Sequence, residues 1–127
     1  MSETVRRVLV ADDEAPIRRV VRLSLERAGY VVEEASNGVA ALEALRARPF
    51  DVLVTDIEMP QMSGDQLCWT LADDPPPHPL MIFVVTGRSD ARLDEIENVE
   101  RLEKPVSLRH LLARIAARLE TQAAPTT

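Results

Sequence analysis

Cysteine is almost absent. Cys68 stands alone, so no internal disulfide can form, and a reducing compartment suits the chain. Aromatic residues amount to 3%, and Tyr30 and Trp69 are too isolated to suggest a stacking platform for bases. Basic residues are outnumbered 15 to 21, a net charge of −6 that argues against nucleic-acid binding through bulk electrostatics. No apolar stretch approaches the ~20 residues that span a bilayer. The first seven residues lead into a four-residue apolar run, too short for the apolar region of a signal peptide, so a cytoplasmic location away from membranes is expected. The four glycines (29, 38, 64 and 87) fit neither GxxxxGK nor GxGxxG, which excludes a nucleotide-binding loop. His78 and His110 have no metal-ligand partner and read as surface residues, and Cys68 reads as a helix-face residue, not a nucleophile.

What remains is the composition of an ordinary soluble domain, with 46% hydrophobic residues in a chain long enough to bury one core. Apolar runs of strand length alternate with segments of helical period, the pattern of βαβ units around a parallel sheet. Strands are expected at Arg7 to Ala11, Val31 to Ala35, Asp51 to Thr55, Leu80 to Val85 and Val99 to Glu103. Between the first two, Ile17, Val20, Val21, Leu25 and Ala28 form one helical face, with Pro16 in the first turn and Gly29 as a left-handed stop. Asn37-Gly38 reads as a turn, followed by a helix with Val39, Leu42 and Leu45 inward. Ser63 to Gln66 matches a capping box opening a helix that carries Leu67, Cys68 and Leu71. The proline-rich stretch Asp74 to Pro79 must be a stiff connection. Ser107 caps the clearest helix, with Leu108, Leu111, Leu112, Ile115, Ala116 and Leu119 on one face. Ser89 to Asn98, charged and with only Ala91, Leu93 and Ile96 to bury, supports at most a short or frayed helix. Residues 5–120 are expected to form the domain, and the patternless tail 121–127 is expected to be disordered.

The strand ends carry the chemistry. Asp12 and Asp13 follow the first strand, Asp56 the third, Thr86 the fourth, and Lys104-Pro105 the fifth. In an open α/β sheet the carboxyl ends of the strands form one edge, where sites are built. Carboxylates converging to about 4 Å repel by about 4 kcal/mol per pair at an effective dielectric near 20, so such a cluster calls for a cation. Mg²⁺ prefers hard oxygen ligands and is commonly shared between carboxylates and phosphate oxygens. Lys104 and Thr86 can each reach a phosphoryl oxygen, leaving one carboxylate free as a nucleophile.

Asp13 and Asp56 are 43 residues apart, Asp56 and Thr86 30, and Thr86 and Lys104 18. With this order and the flanks Asp12-Asp13-Glu14, Thr55-Asp56-Ile57-Glu58-Met59-Pro60, Val84-Val85-Thr86-Gly87 and Leu102-Glu103-Lys104-Pro105, the chain resembles the receiver domain of two-component response regulators. The resemblance covers about residues 5–120. It implies a flavodoxin-like, doubly wound α/β fold with a five-stranded parallel sheet of order 2-1-3-4-5. It implies Asp56 as phosphoacceptor, receiving its phosphoryl group from a sensor histidine kinase or histidine phosphotransfer protein and switching contact with a downstream protein target. By the same resemblance Asp13, Asp56 and the Glu58 carbonyl would bind Mg²⁺ directly, Asp12 through water, Lys104 and Thr86 would contact the phosphoryl oxygens, and a cis peptide bond would precede Pro105. Self-phosphorylation and dephosphorylation are the only catalysis implied.

The pattern departs at two places. Arg101 stands where the family usually has an aromatic residue that rotates inward, and the stretch from Thr86 to Lys104 is a few residues short, resembling some single-domain and kinase-attached receivers. Glu58 and Arg88, two positions past Asp56 and Thr86, are expected to pair across the site mouth and flank the path of an attacking water. Two alternatives come from other classes. Asp56-Ile57-Glu58 loosely resembles the Asp-x-Asp of haloacid-dehalogenase-like phosphohydrolases, which place their second acid pair after the nucleophile, whereas here it comes before. A receiver-like scaffold indifferent to phosphate would not need the full acid, hydroxyl and lysine set.

Overall fold

The computed structural model describes residues 5–87 and 91–123. Ten elements alternate along it: β1 (Arg7–Ala11), α1 (Ala15–Arg27), β2 (Val31–Ala35), α2 (Gly38–Ala47), β3 (Val52–Asp56), α3 (Gly64–Asp73), β4 (Met81–Thr86), a 3-10 turn (Ala91–Glu95), β5 (Val99–Glu103) and α4 (Leu108–Ala123). The five strands form one parallel sheet in the order β2-β1-β3-β4-β5, as the family resemblance implied.

Both faces of the sheet are covered, which is why its strands read as continuous apolar runs. Leu9, Leu53, Ile82 and Val84 point to one side and pack with Ala41 and Leu45 of α2, Leu67 and Leu71 of α3, and Leu93 of the 3-10 turn. Val8, Val10, Val52, Val54 and Phe83 point to the other and pack with Leu25 of α1 and Leu111, Ile115 and Leu119 of α4. Alternate residues of one strand thus serve two separate cores, as the two-residue side-chain period requires.

Most local signals act as their chemistry dictates. Gly29 adopts φ +102° after α1. Ser63 accepts from the Gln66 N–H while the Gln66 side chain accepts from the Ser63 N–H, the full capping box. Ser107 accepts from His110 N–H at 3.0 Å. Four expectations are modified. Asn37 caps α2, accepting from Ala40 N–H at 2.7 Å, and Gly38 is the first residue of that helix, not part of a free turn. The glycine is needed because a Cβ there would lie 2.1 Å from the Met62 carbonyl. The buried face of α2 centres on Ala41 and Leu45, with Leu42 at its margin. Ile17 and Val20 of α1 remain 47% and 51% exposed, because the start of that helix stands over a cleft instead of the core. Finally, α4 runs to Ala123, past the expected boundary at residue 120, since no glycine or proline interrupts it before Pro125. Residues 124–127 lie outside the described residues.

His78 also has more to do than a surface residue. Its Nε2 accepts the backbone N–H of Phe50 at 3.4 Å, tying the proline-rich connector to the entrance of β3.

At the outer edge, Glu100 of β5 accepts from Arg114 Nε and Nη2 at 2.5 and 2.9 Å and from Arg118 at 3.2 Å. The Arg114 hydrogen bonds, working against burial, hold the Glu100 carboxyl below the usual glutamate value. A carboxyl depressed on folding contributes stability above its unfolded value, and loses it as pH falls through the folded one. Glu100→Gln is therefore expected to be less stable than the parent in urea at about pH 7, with the two curves converging toward about pH 3. A constant gap across that range would show that the pair's charge contributes nothing.

Candidate functional site

The strand order reverses direction between β1 and β3, and the crevice at such a switch point is where ligands bind in open α/β sheets. Asp12 and Asp13 leave β1 there, and Asp56 ends β3. One carboxylate oxygen from each of the three lies within 4.8 Å of the other two. Asp56 is 9% exposed, Asp12 partly buried, and Asp13 open to solvent.

Each carboxylate is held differently. Asp56 Oδ1 accepts the Ile57 N–H at 2.7 Å, and Oδ2 faces Lys104 Nζ at 3.1 Å. Asp12 Oδ1 accepts the Glu14 N–H at 2.9 Å, while Arg18 donates to the Asp12 carbonyl at 2.8 Å and to Glu34 at 2.6 Å. Burial pushes the Asp12 carboxyl above the usual aspartate value, the Glu14 N–H pulls it back, and the charges of Asp56 and Glu14 raise it further. Burial opposes the charge on Lys104, but the Asp56 hydrogen bond and charge, with Asp12 and Glu14 beyond, hold it above the usual lysine value. Lys104 is the only lysine among 15 basic residues. At this one position the chain uses a compact ammonium instead of a guanidinium fork, suited to a point contact with an oxygen.

Thr86 ends β4 and is 2% exposed. Its carbonyl accepts the Lys104 N–H at 2.8 Å, joining the ends of β4 and β5, and the bond from Lys104 to Pro105 is cis. Glu58 lies in the loop after β3, beside Asp13 in a cleft that also holds Ser63 and Asp65. Arg88, its expected partner, lies outside the described residues. Cys68 is buried and its thiol is pushed up to about 12 by desolvation, so it is no nucleophile.

Three residues have supporting roles that the sequence reading did not assign to them. Thr55, 1% exposed, donates its hydroxyl to the Asp56 carbonyl at 2.8 Å. A polar side chain inside a buried strand always needs such a partner, so this signal was present in the sequence. Arg18 carried no such mark among the other arginines. Gly64 donates to the Ile57 carbonyl at 2.7 Å, and a Cβ added to it would lie 2.1 Å from the Asp56 carbonyl.

Among the described residues, three carboxylates stand against one ammonium, and every donor of the cluster is a hard oxygen. The set fits a hard divalent cation. Next to it, a cleft of about 710 Å³ opens between α1 and α4, walled by Ile17, Val20, Val106 and Leu111 and reaching Asp56 and Lys104.

The sequence profile of the family described as "Response regulator receiver domain" matches residues 8–116. The chain belongs to that family. It is 36% identical over 115 residues to the response regulator receiver protein CpdR of Brucella abortus, covering 87% of this chain and 94% of CpdR. Against the response regulator MprA of Mycobacterium leprae the identity is 40% over 122 residues, covering 89% of this chain but 50% of MprA, so this chain spans about half of that relative. The fold superimposes on a CheY-like receiver domain from Methanospirillum hungatei with a TM-score of 0.83 at 27% identity, covering 94% of this chain and 97% of that one. This receiver is a phospho-accepting module of two-component signalling. Receiver domains bind Mg²⁺ at an acidic cluster of this kind and interact with histidine kinases and downstream effectors. No helix among the described residues is long and apolar enough to cross a membrane.

The close approach at Gly64 yields a direct test. Gly64→Ala forces the loop off the Asp56 backbone, and overpacking of this kind typically costs about 1–3 kcal/mol. Urea denaturation of the variant should show that loss. Unchanged stability would mean that the loop gives way freely and does not fix Asp56.

Proposed function

We propose that Asp56 is the phosphoacceptor and that it takes its phosphoryl group from a phosphohistidine on a kinase or phosphotransfer protein. The observation that carries this reading is the pairing at Asp56: its carboxylate alone in the acid cluster bonds the Lys104 ammonium. An Asp56 oxygen attacks phosphorus, a P–O bond forms, the P–N bond breaks, and the imidazole leaves with its electron pair. Lys104 turns its ammonium to the incoming phosphoryl oxygens, and the Thr86 hydroxyl supplies a further donor. The Ile57 N–H keeps the carboxylate oriented throughout. Asp12, Asp13, Asp56 and the Glu58 carbonyl would hold Mg²⁺, with Asp12 acting through water. When bound, the ion neutralises charge on the carboxylates and the phosphoryl group.

The groove between α1 and α4 supports the choice of donor. Ile17 and Val20 are half exposed along it, and its floor reaches Asp56. A helical protein with an apolar face could seat there and bring an imidazole to the carboxylate.

Incubation with acetyl phosphate and Mg²⁺ is expected to add one phosphoryl mass, which Asp56→Asn abolishes and a chelator prevents. Undiminished labelling of the Asn variant would move the site elsewhere.

The downstream signal takes a route suited to Arg101. Its guanidinium forms a two-pronged pair with Asp94 of the 3-10 turn, at 2.9 and 2.8 Å. Burying it on activation would strand a charge, at a cost of several kcal/mol. The response is instead carried by residues 86–98, drawn by Thr86 and Lys104. Hydrogen exchange with and without beryllofluoride, a phosphoryl mimic, should show new protection there. Flat exchange in that segment together with burial of Arg101 would mean that the inward rotation occurs after all.

A further inference from the structure

A further cleft, of about 510 Å³, lies at the opposite edge of the sheet, where β4 and β5 begin. Beside it lies the five-residue 3-10 turn, which spans roughly 10 Å at 2 Å per residue, with Leu93 in it and Ile96 just after it buried. Trp69 of α3, the chain's only tryptophan and 37% exposed, lines the cleft together with Ile96. Leu80, just before β4, and Ile82 within it also line the cleft.

The walls are stiff before anything binds. Pro75, Pro76 and Pro79 fix the connector's backbone, and His78 pins it to Phe50. Asn98 donates to the Leu80 carbonyl at 2.6 Å, closing the end between β4 and β5. A preformed site spares the partner the cost of ordering it. Charge is one-sided: Glu95 and Glu97, both exposed, line the cleft, and no arginine or lysine does among the described residues.

We propose that this cleft docks a segment of a partner protein in which an apolar side chain is flanked by arginine or lysine. The apolar side chain enters between Trp69 and Ile96, and the flanking cations meet Glu95 and Glu97. Exposed tryptophan beside a pocket is the composition of an interface hot spot, and it also offers its ring face to a guanidinium. The cleft shares no residue with the Asp56 cluster, so the proposal goes beyond phosphoryl transfer and does not depend on it.

The probe is a capped peptide with two central leucines flanked on each side by two arginines, titrated against the full chain. Trp69 emission is expected to change saturably, and amide shifts in NMR should map to Trp69, Ala72, Ile96 and Asn98. The Glu95→Gln, Glu97→Gln double variant, altered only at exposed positions, should bind about tenfold more weakly, and added salt should weaken binding to the parent. Trp69→Ala, followed by NMR, should bind at least as poorly. No saturable response, equal binding of a peptide with glutamates for the arginines, or shifts confined to the α1–α4 groove would each overturn the proposal. So would self-association through the cleft that excludes the peptide. Labelling of Asp56 by acetyl phosphate is measured separately in the same variants, so failure of the cleft and failure of the phosphoacceptor assignment give different results.

Discussion

Everything at the working edge of this protein depends on one electrostatic constraint. Asp12, Asp13 and Asp56 bring carboxylate oxygens within 4.8 Å of one another, and a single ammonium stands nearby. At about 4 Å each like-charged pair costs about 4 kcal/mol in a medium of effective dielectric near 20. That repulsion is tolerated because the acids sit on the ends of strands whose bodies are locked into two cores. The stability lies in the sheet, and the strain is confined to its rim. The same imbalance that makes the rim costly on its own makes it receptive to a divalent cation and then to a phosphoryl group.

The neighbouring parts make sense as ways of keeping that edge in place. Gly64 lets its loop lie directly on the Asp56 backbone, Thr55 satisfies the Asp56 carbonyl, and Ile57 N–H fixes one carboxylate oxygen. Lys104 is anchored through its own backbone N–H to the Thr86 carbonyl, so these two residues sit at the ends of hydrogen-bonded neighbouring strands. A displacement of either strand would be felt by both.

The connection between β4 and β5 is short. Arg101 pairs with Asp94 of its 3-10 turn, at the position where the family usually carries an aromatic side chain. Where β4 and β5 begin, Trp69 stands beside an apolar cleft with an acidic rim. Among the described residues, Leu93 of that turn and Ile96 just after it are buried.

Through its resemblance to receiver domains the sequence implied the sheet order; by itself it determined the alternating elements and the residues that meet at the strand ends. Those features depend on short-range patterns: apolar runs, caps at Ser63 and Ser107, a glycine stop at residue 29, and acids at fixed places after strands. Tertiary structure decided what depends on neighbours distant in the chain. Ile17 and Val20 have the periodicity of a core face, yet α4 stands off from them and leaves a groove. Gly38 and Gly64 are required by the carbonyls of Met62 and Asp56, approaches that no local pattern records. Arg18 was indistinguishable from the other arginines until folding brought it to the Asp12 carbonyl and Glu34. Periodicity says which side of an element is apolar. Only the packed arrangement says whether that side meets a core, a cleft or a partner.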